Sequence, residues 1–320
     1  MPEQFSMDKA RELIEMLGKS DDYFERQKAA WALVNLGEAA VDQTAIALET
    51  GEFSDLRYKS AWILGKIGSP GGVEPLCRAM LSDPDHVVRE WCAAALEAIR
   101  SQEAVPALVL AMKRDSSKDV RLRAAMALRT LGATKALRDL LGYAEPEVRG
   151  MAVTGLAKIG HRESLTDVAR LMHDEEIEVR RRAAAFMGEV ACDEALGCLA
   201  QALQDDESAV RCEALKSLGK VKGEVACDMA MRALQDQDWQ VRYTAVTTLG
   251  EIGHNKALEP LVEIMFGQDD EEMRAWAAWS LGEIADVRAI EPLQRAYKTC
   301  PTEVMKKAKD SLVEVFKQEV

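Results

Sequence analysis

Four histidines and seven cysteines are the side chains of this chain best able to hold a metal or attack an electrophile. His86, His161, His173 and His254 lie far apart in turn-like stretches, followed by Val, Arg, Asp and Asn, so none has a glutamate beside it. Cys192, Cys198, Cys212 and Cys227 fall in neighbouring segments without the paired spacing of a zinc site and read as small buried hydrophobes. Cys212 is the one thiol expected to be accessible. An odd number of cysteines with no CxxC fits free thiols in a reducing compartment better than a disulfide framework. Neither a glycine-rich phosphate loop nor a nucleophile elbow occurs. No catalytic, metal or cofactor group is therefore assigned. The remaining chemistry is recognition, carried by six tryptophans set among tyrosines, arginines and lysines.

A repeated segment places these residues. "RYKSAWILGKIG" (57–68) returns as "VREWCAAALEAI", "VRLRAAMALRTLG", "VRGMAVTGLAKIG", "VRRRAAAFMGEV", "VRCEALKSLGKV", "VRYTAVTTLGEIG" and "MRAWAAWSLGEIA". Its arginine recurs as Arg26, Arg57, Arg89, Arg121, Arg149, Arg180, Arg211, Arg242 and Arg274, with Met305 in a tenth copy. The spacings are 31, 32, 32, 28, 31, 31, 31, 32 and 31 residues, the signature of a solenoid.

Counting from each arginine as zero, positions −1, +3, +7 and +10 are mostly small or apolar, as in Val120, Ala124, Leu128 and Leu131. At 100° per residue these form one stripe, predicting an amphipathic helix B. Asp83, Ser117, Asp206 and Asp238 are candidate N-caps, and Gly37, Gly68, Gly132, Gly160 and Gly253 at +11 are candidate C-caps. A second pattern, "GGVEPLCRAML" or "NKALEPLVEIM", predicts helix A, with Pro75, Pro106, Pro260 and Pro292 in its first turn. An A-type segment at 6–17 and a B-type segment at 303–317 set the order A then B. The fold class expected is all-α: an α-solenoid of about ten helical hairpins, forming a single domain over 1–320. The 28-residue step around "TKALRDLLGYAEPEV" predicts a shortened A helix and a change of curvature near 133–148, with a hinge between two arms as the other reading.

The motifs "VRxxAAxxLGxIG" and "A(I/L)EPL" resemble the HEAT-like repeat of phycobilisome bilin lyases, a repeat also found in prokaryotic scaffold proteins. The resemblance spans 6–317 and implies that the second helix of each pair lines a concave surface. It specifies the fold far more tightly than the activity, because function on a solenoid resides in surface residues. Deoxyhypusine hydroxylase shares the fold but holds iron through His-Glu dyads, which this chain lacks.

On helix B, +5 lies almost opposite the core stripe. Trp31, Trp62 and Trp279 occupy it, Trp91 and Trp276 occupy +2, and Tyr58 and Tyr243 occupy +1. Positions +1, +2, +5 and +9 hold one eighth of the chain, so fewer than one of the six tryptophans belongs there by chance; five are found. Trp239 merely leads into a B helix. In mid-chain the same face carries Arg123, Lys158, Arg181, Arg182, Lys216 and Lys220 against Glu189 and Glu213. Over ten units it holds eleven Lys or Arg and seven Asp or Glu, although the whole molecule carries −13. The marker arginines border the core stripe beside acidic turns and are expected to tie adjacent repeats by charge-assisted hydrogen bonds.

The first functional reading is a non-catalytic scaffold whose concave face binds a protein of acidic or mixed surface. The alternative is a bilin lyase-like protein, with aromatics stacked on a tetrapyrrole and cations on its propionates. A DNA-binding role ranks third, since nucleic-acid partners call for a positive footprint. No apolar run of membrane-spanning length occurs, so a cytoplasmic chain is expected; Asp8, Lys9, Arg11 and Glu12 on the first A helix and Lys306, Lys307, Lys309 and Asp310 on the last B helix read as polar caps, which predict a monomer when alone.

Overall fold

A computed structural model describes the backbone of residues 2–317, with side chains assigned from 7 to 316. Among these, twenty α-helices alternate as A and B, and no strand occurs. The A helices are α1 (Pro2–Lys19), α3 (Val41–Thr50), α5 (Val73–Ser82), α7 (Val105–Arg114), α9 (Thr134–Asp139), α11 (Leu165–Ala169), α13 (Asp193–Ala202), α15 (Gly223–Ala233), α17 (Leu258–Phe266) and α19 (Ile290–Thr299). The B helices are α2 (Tyr23–Leu36), α4 (Ser54–Ile67), α6 (His86–Ile99), α8 (Lys118–Thr130), α10 (Pro146–Ile159), α12 (Ile177–Val190), α14 (Ser208–Val221), α16 (Trp239–Ile252), α18 (Glu271–Ile284) and α20 (Thr302–Lys317). The fold is the α-solenoid expected.

The helices group into two compact units, Met1–Ile159 and Gly160–Val320. Within each, every B helix packs on its own A helix, and successive B helices pack on one another. The stripe read from the sequence is the core: Val120, Ala124 and Leu128 are fully buried and Leu131 nearly so. Irregularity is not confined to α9. Helix α11 has only five residues and is prolonged by a 3-10 turn over Arg170–His173.

Two features of the repeat consensus explain how B helices stack so closely. The first is glycine at +8. A Cβ on Gly250 would sit 2.9 Å from the Cα of Ser280, and one on Gly282 would sit 2.5 Å from the Cβ of Ser311. The second is a small residue at +6 on the facing helix, where a hydroxyl adds a bond across the contact. Ser217 Oγ donates to the carbonyl of Ala184 at 2.9 Å, and Ser280 Oγ to that of Val246 at 2.8 Å.

Position +11 has a positive φ in repeat after repeat, which the glycines there adopt without a Cβ penalty: Gly68 has φ 74° and Gly253 72°. Arg100, Ala191, Lys222 and Ala285 hold the same position with φ of 60°, 43°, 61° and 53°, at a steric cost glycine would avoid. Asp238 caps α16 as expected, accepting from the Gln240 amide. Two other cap assignments are corrected. Asp85, not Asp83, caps α6, and Glu207, not Asp206, precedes α14. Ser117 stands at the N-cap of α8 without a side-chain cap bond.

Asp83 instead accepts from the marker arginine of the preceding repeat. Arg57 Nε and Nη2 reach its two oxygens at 2.7 and 3.1 Å, while Nη1 donates to the Gly51 carbonyl. The same fork joins Arg89 to Asp115, Arg180 to Asp205 and Arg211 to Asp236. Each carboxylate also accepts a backbone amide two residues on, as Asp115 does from Ser117 at 2.8 Å. Burial by itself would raise the Asp115, Asp205 and Asp236 carboxyls. Hydrogen bonds from arginine and backbone outweigh it and hold all three below the usual range. These four marker arginines thus tie their own loop to the next.

Candidate binding face

Because B helices stack in register, +1, +2 and +5 of one repeat lie beside their counterparts in the next. In the first unit this brings Trp31 of α2 against Trp62 of α4, edge to face, with centroids 5.3 Å apart and planes at 90°. Tyr58 stacks on Trp91 of α6 at 6.2 Å and 25°. Trp31 remains 51% exposed and Trp91 38%. Tyr58 donates its hydroxyl to Asp55 at 2.7 Å, and Lys59 binds the other Asp55 oxygen at 2.6 Å. Burial first, then this hydrogen bond, pushes the Tyr58 phenol up to about 12. Between Trp62 and Trp91 a cleft of about 170 Å³ opens, lined by Gly65, Ala94, Ala95 and Ala98, with the exposed Lys66 at its edge. The Lys66 ammonium stands 5.8 Å from the Trp62 ring centroid.

In the second unit Trp239, Tyr243, Trp276 and Trp279 form a continuous row. Successive centroid distances are 6.5, 5.6 and 5.4 Å, each pair edge to face. Lys307 of α20 lies 4.8 Å from the Trp276 centroid. Trp239 lies outside the +1, +2, +5 and +9 positions of the face, yet its ring joins the row. As the first residue of α16 it is one turn from Tyr243, and that i, i+4 spacing was the available signal.

The basic residues are divided between the units, and their charge is largely compensated. In the first unit, Arg123 lies 3.6 Å from Glu90 and 3.9 Å from Glu97, and Lys158 is exposed on α10. In the second, Glu178 receives both Arg181 and Arg182, at 2.9 and 2.8 Å. Arg181 also reaches Glu213 at 3.2 Å, and Lys220 pairs with Glu189 at 3.1 Å. Lys216 is exposed on α14. The positive surplus counted along the sequence is therefore not a bare cationic patch.

Cys212 is half-buried rather than open, accepts from Thr244 Oγ1 at 3.5 Å, and has its thiol pushed up by burial. Burial likewise lifts Cys77 and Cys227 to about 11. All seven cysteines are free. Among the described residues no helix is long and apolar enough to cross a membrane.

The pattern that defines HEAT repeats matches residues 41–129, 105–185, 168–236 and 228–312. The chain belongs to the HEAT-repeat family. Among curated proteins, this HEAT-repeat chain is similar to the bilin biosynthesis protein PecE of Nostoc sp., with 36% identity over 107 residues, covering 31% of this chain and 42% of PecE. It is also similar to the phycocyanobilin lyase subunit alpha of Picosynechococcus sp., with 30% identity over 156 residues, 42% of this chain and 58% of that subunit. The chain thus spans roughly half the length of these relatives. Among solved structures it resembles yeast importin-beta (Kap95p), with a TM-score of 0.61, 15% identity, and coverage of 99% of this chain and 52% of the importin; that likeness concerns the fold.

Proposed function

We propose that this HEAT-repeat protein handles a linear tetrapyrrole, using the aromatic face of its B helices. The single observation that carries the reading is the row Trp239–Tyr243–Trp276–Trp279 with Lys307 beside it. Four rings in edge contact offer a conjugated chromophore successive stacking surfaces, and an adjacent ammonium suits a propionate. Similarity to a bilin biosynthesis protein and to a phycocyanobilin lyase subunit supports this ahead of the plain scaffold reading. Seven cysteines with no CxxC pair fit a reducing, cytoplasmic setting.

A protein-binding scaffold is the second reading, favoured by the exposed indole of Trp31, which extends the aromatic face where the first unit begins. DNA binding is disfavoured by −13 overall and by the internal pairing of Arg123, Arg181, Arg182 and Lys220.

The test is a titration with phycocyanobilin, followed by tryptophan fluorescence and visible absorbance, on wild type and Trp276→Ala/Trp279→Ala. Saturable quenching, weakened roughly 30-fold in the variant, is expected if the two indoles are hot spots of about 2 kcal/mol together. Absence of quenching in the wild type removes the tetrapyrrole reading.

A further inference from the structure

The cleft between α4 and α6 lies where a run of tryptophans at +5 ends. Position +5 carries Trp31 in α2 and Trp62 in α4, and these indoles meet edge to face at 5.3 Å. In α6 the same position is Ala94, so Trp62 has a partner ring from α2 and none from the +5 position of α6. Trp91 closes the far side of the gap, and Gly65, Ala94, Ala95 and Ala98 complete the lining, leaving about 170 Å³. That is well below the roughly 300–1,000 Å³ of pockets for drug-sized ligands and on the scale of one aromatic side chain.

Lys66 on the rim is exposed, and no ion pair is formed by it among the described residues, in contrast to Lys59, Arg123 and Lys220 on equivalent parts of the face. Apolar walls with one uncompensated cation at the mouth select a guest that is planar and apolar at its tip and negative at its base.

We propose that this cleft is an anchor site for a partner protein, taking one aromatic side chain from an acidic segment. The guest ring occupies the place that a +5 tryptophan would have filled, between Trp62 and Trp91, while a neighbouring carboxylate pairs with Lys66. The site lies in the first unit and does not depend on tetrapyrrole binding by the row in the second.

The test is to pan the whole protein against a display library of random peptides, beside two filled variants and Lys66→Gln. Ala94→Trp extends the run of +5 indoles from α2 and α4 into α6. Ala98→Leu fills the cleft from an exposed position, so one of the pair remains informative if the other misfolds. Recovered peptides should share one aromatic residue with Asp or Glu close by, and bind both filled variants roughly tenfold more weakly than wild type. Lys66→Gln should lose the acidic preference and retain the aromatic. Enrichment without an aromatic, equal binding by the filled variants, or no enrichment at all would overturn the proposal. So would phycocyanobilin binding that Ala94→Trp abolishes, which would assign the cleft to the chromophore. Failure of the tetrapyrrole reading is read separately, on Trp276→Ala/Trp279→Ala, where the cleft is intact.

Discussion

Replacing Arg89 by alanine tests what holds the repeats in line. Arg89 donates Nε and Nη2 to the two oxygens of Asp115, both at 2.8 Å, and Nη1 to the Asp83 carbonyl at 2.8 Å. The side chains of the pair are only 11% and 7% exposed. Removing one partner of a buried ion pair costs about 3–5 kcal/mol, because the other charge is left desolvated. Asp115 keeps the Ser117 amide, which lowers the expected loss to about 2–3 kcal/mol for Arg89→Ala. Arg242 is the internal control. Its Nη1 donates to the carbonyls of Asp236 and Gln237, at 2.9 and 3.2 Å, without a carboxylate fork, so Arg242→Ala should lose only about 1 kcal/mol. Urea, which leaves charges unscreened, is the denaturant of choice, with hydrogen exchange in the first unit reporting where opening occurs. Asp115→Ala combined with Arg89→Ala should lose less than the sum of the singles. Equal losses in Arg89→Ala and Arg242→Ala, or strict additivity of the cycle, would refute the ladder as a source of cohesion.

Acid should find the same carboxylates. Asp115, Asp205 and Asp236 are lowered in the fold, so their contribution is complete above the unfolded value near ~3.9 and is lost as pH falls through the folded values; urea midpoints should hold steady toward neutrality and drop on acidification, less steeply in Arg89→Ala. Gly250→Ala forces a Cβ against Ser280 and should destabilise by about 1–3 kcal/mol, whereas Gly197→Ala, in helix α13 with open space around it, should stabilise by ~0.4–1 kcal/mol, both read by thermal melts. Ala285→Gly relieves a left-handed alanine and should raise stability by up to about 1 kcal/mol, with an unchanged melt arguing against strain at +11. Iodoacetamide near neutral pH should label the native thiols, Cys212 included, far more slowly than the urea-unfolded ones, and rapid native labelling of Cys212 would contradict its half-buried, raised-pKa placement.

The helical hairpins, their order and the arginine ladder could be read from the sequence because each recurs at a fixed spacing, and repetition separates a structural demand from chance. The +8 glycine was in plain view in "LGxIG" but took its meaning only from the facing helix, where Ser280 or Ser311 lies too close for a Cβ. Cap assignments slipped by one or two residues because Asp83 and Asp85 share a turn and only geometry shows which one faces Arg57 and which faces the Val87 amide. On the binding face, helical arithmetic placed the tryptophans on one side. It could not show that Glu178 neutralises Arg181 and Arg182, since a charge count ignores which side chains reach one another. The Trp62–Trp91 cleft was likewise hidden in the register between repeats, where a small residue at +5 of α6 matters only because α4 carries an indole at the same position.

Visible circular dichroism of added phycocyanobilin tests the central claim most directly, since a flexible tetrapyrrole acquires a strong signal only when a chiral site fixes its twist. The account predicts an induced band with wild type that survives Trp31→Ala/Trp62→Ala and disappears in Trp276→Ala/Trp279→Ala. No induced band with wild type, or equal loss in both double variants, would contradict it.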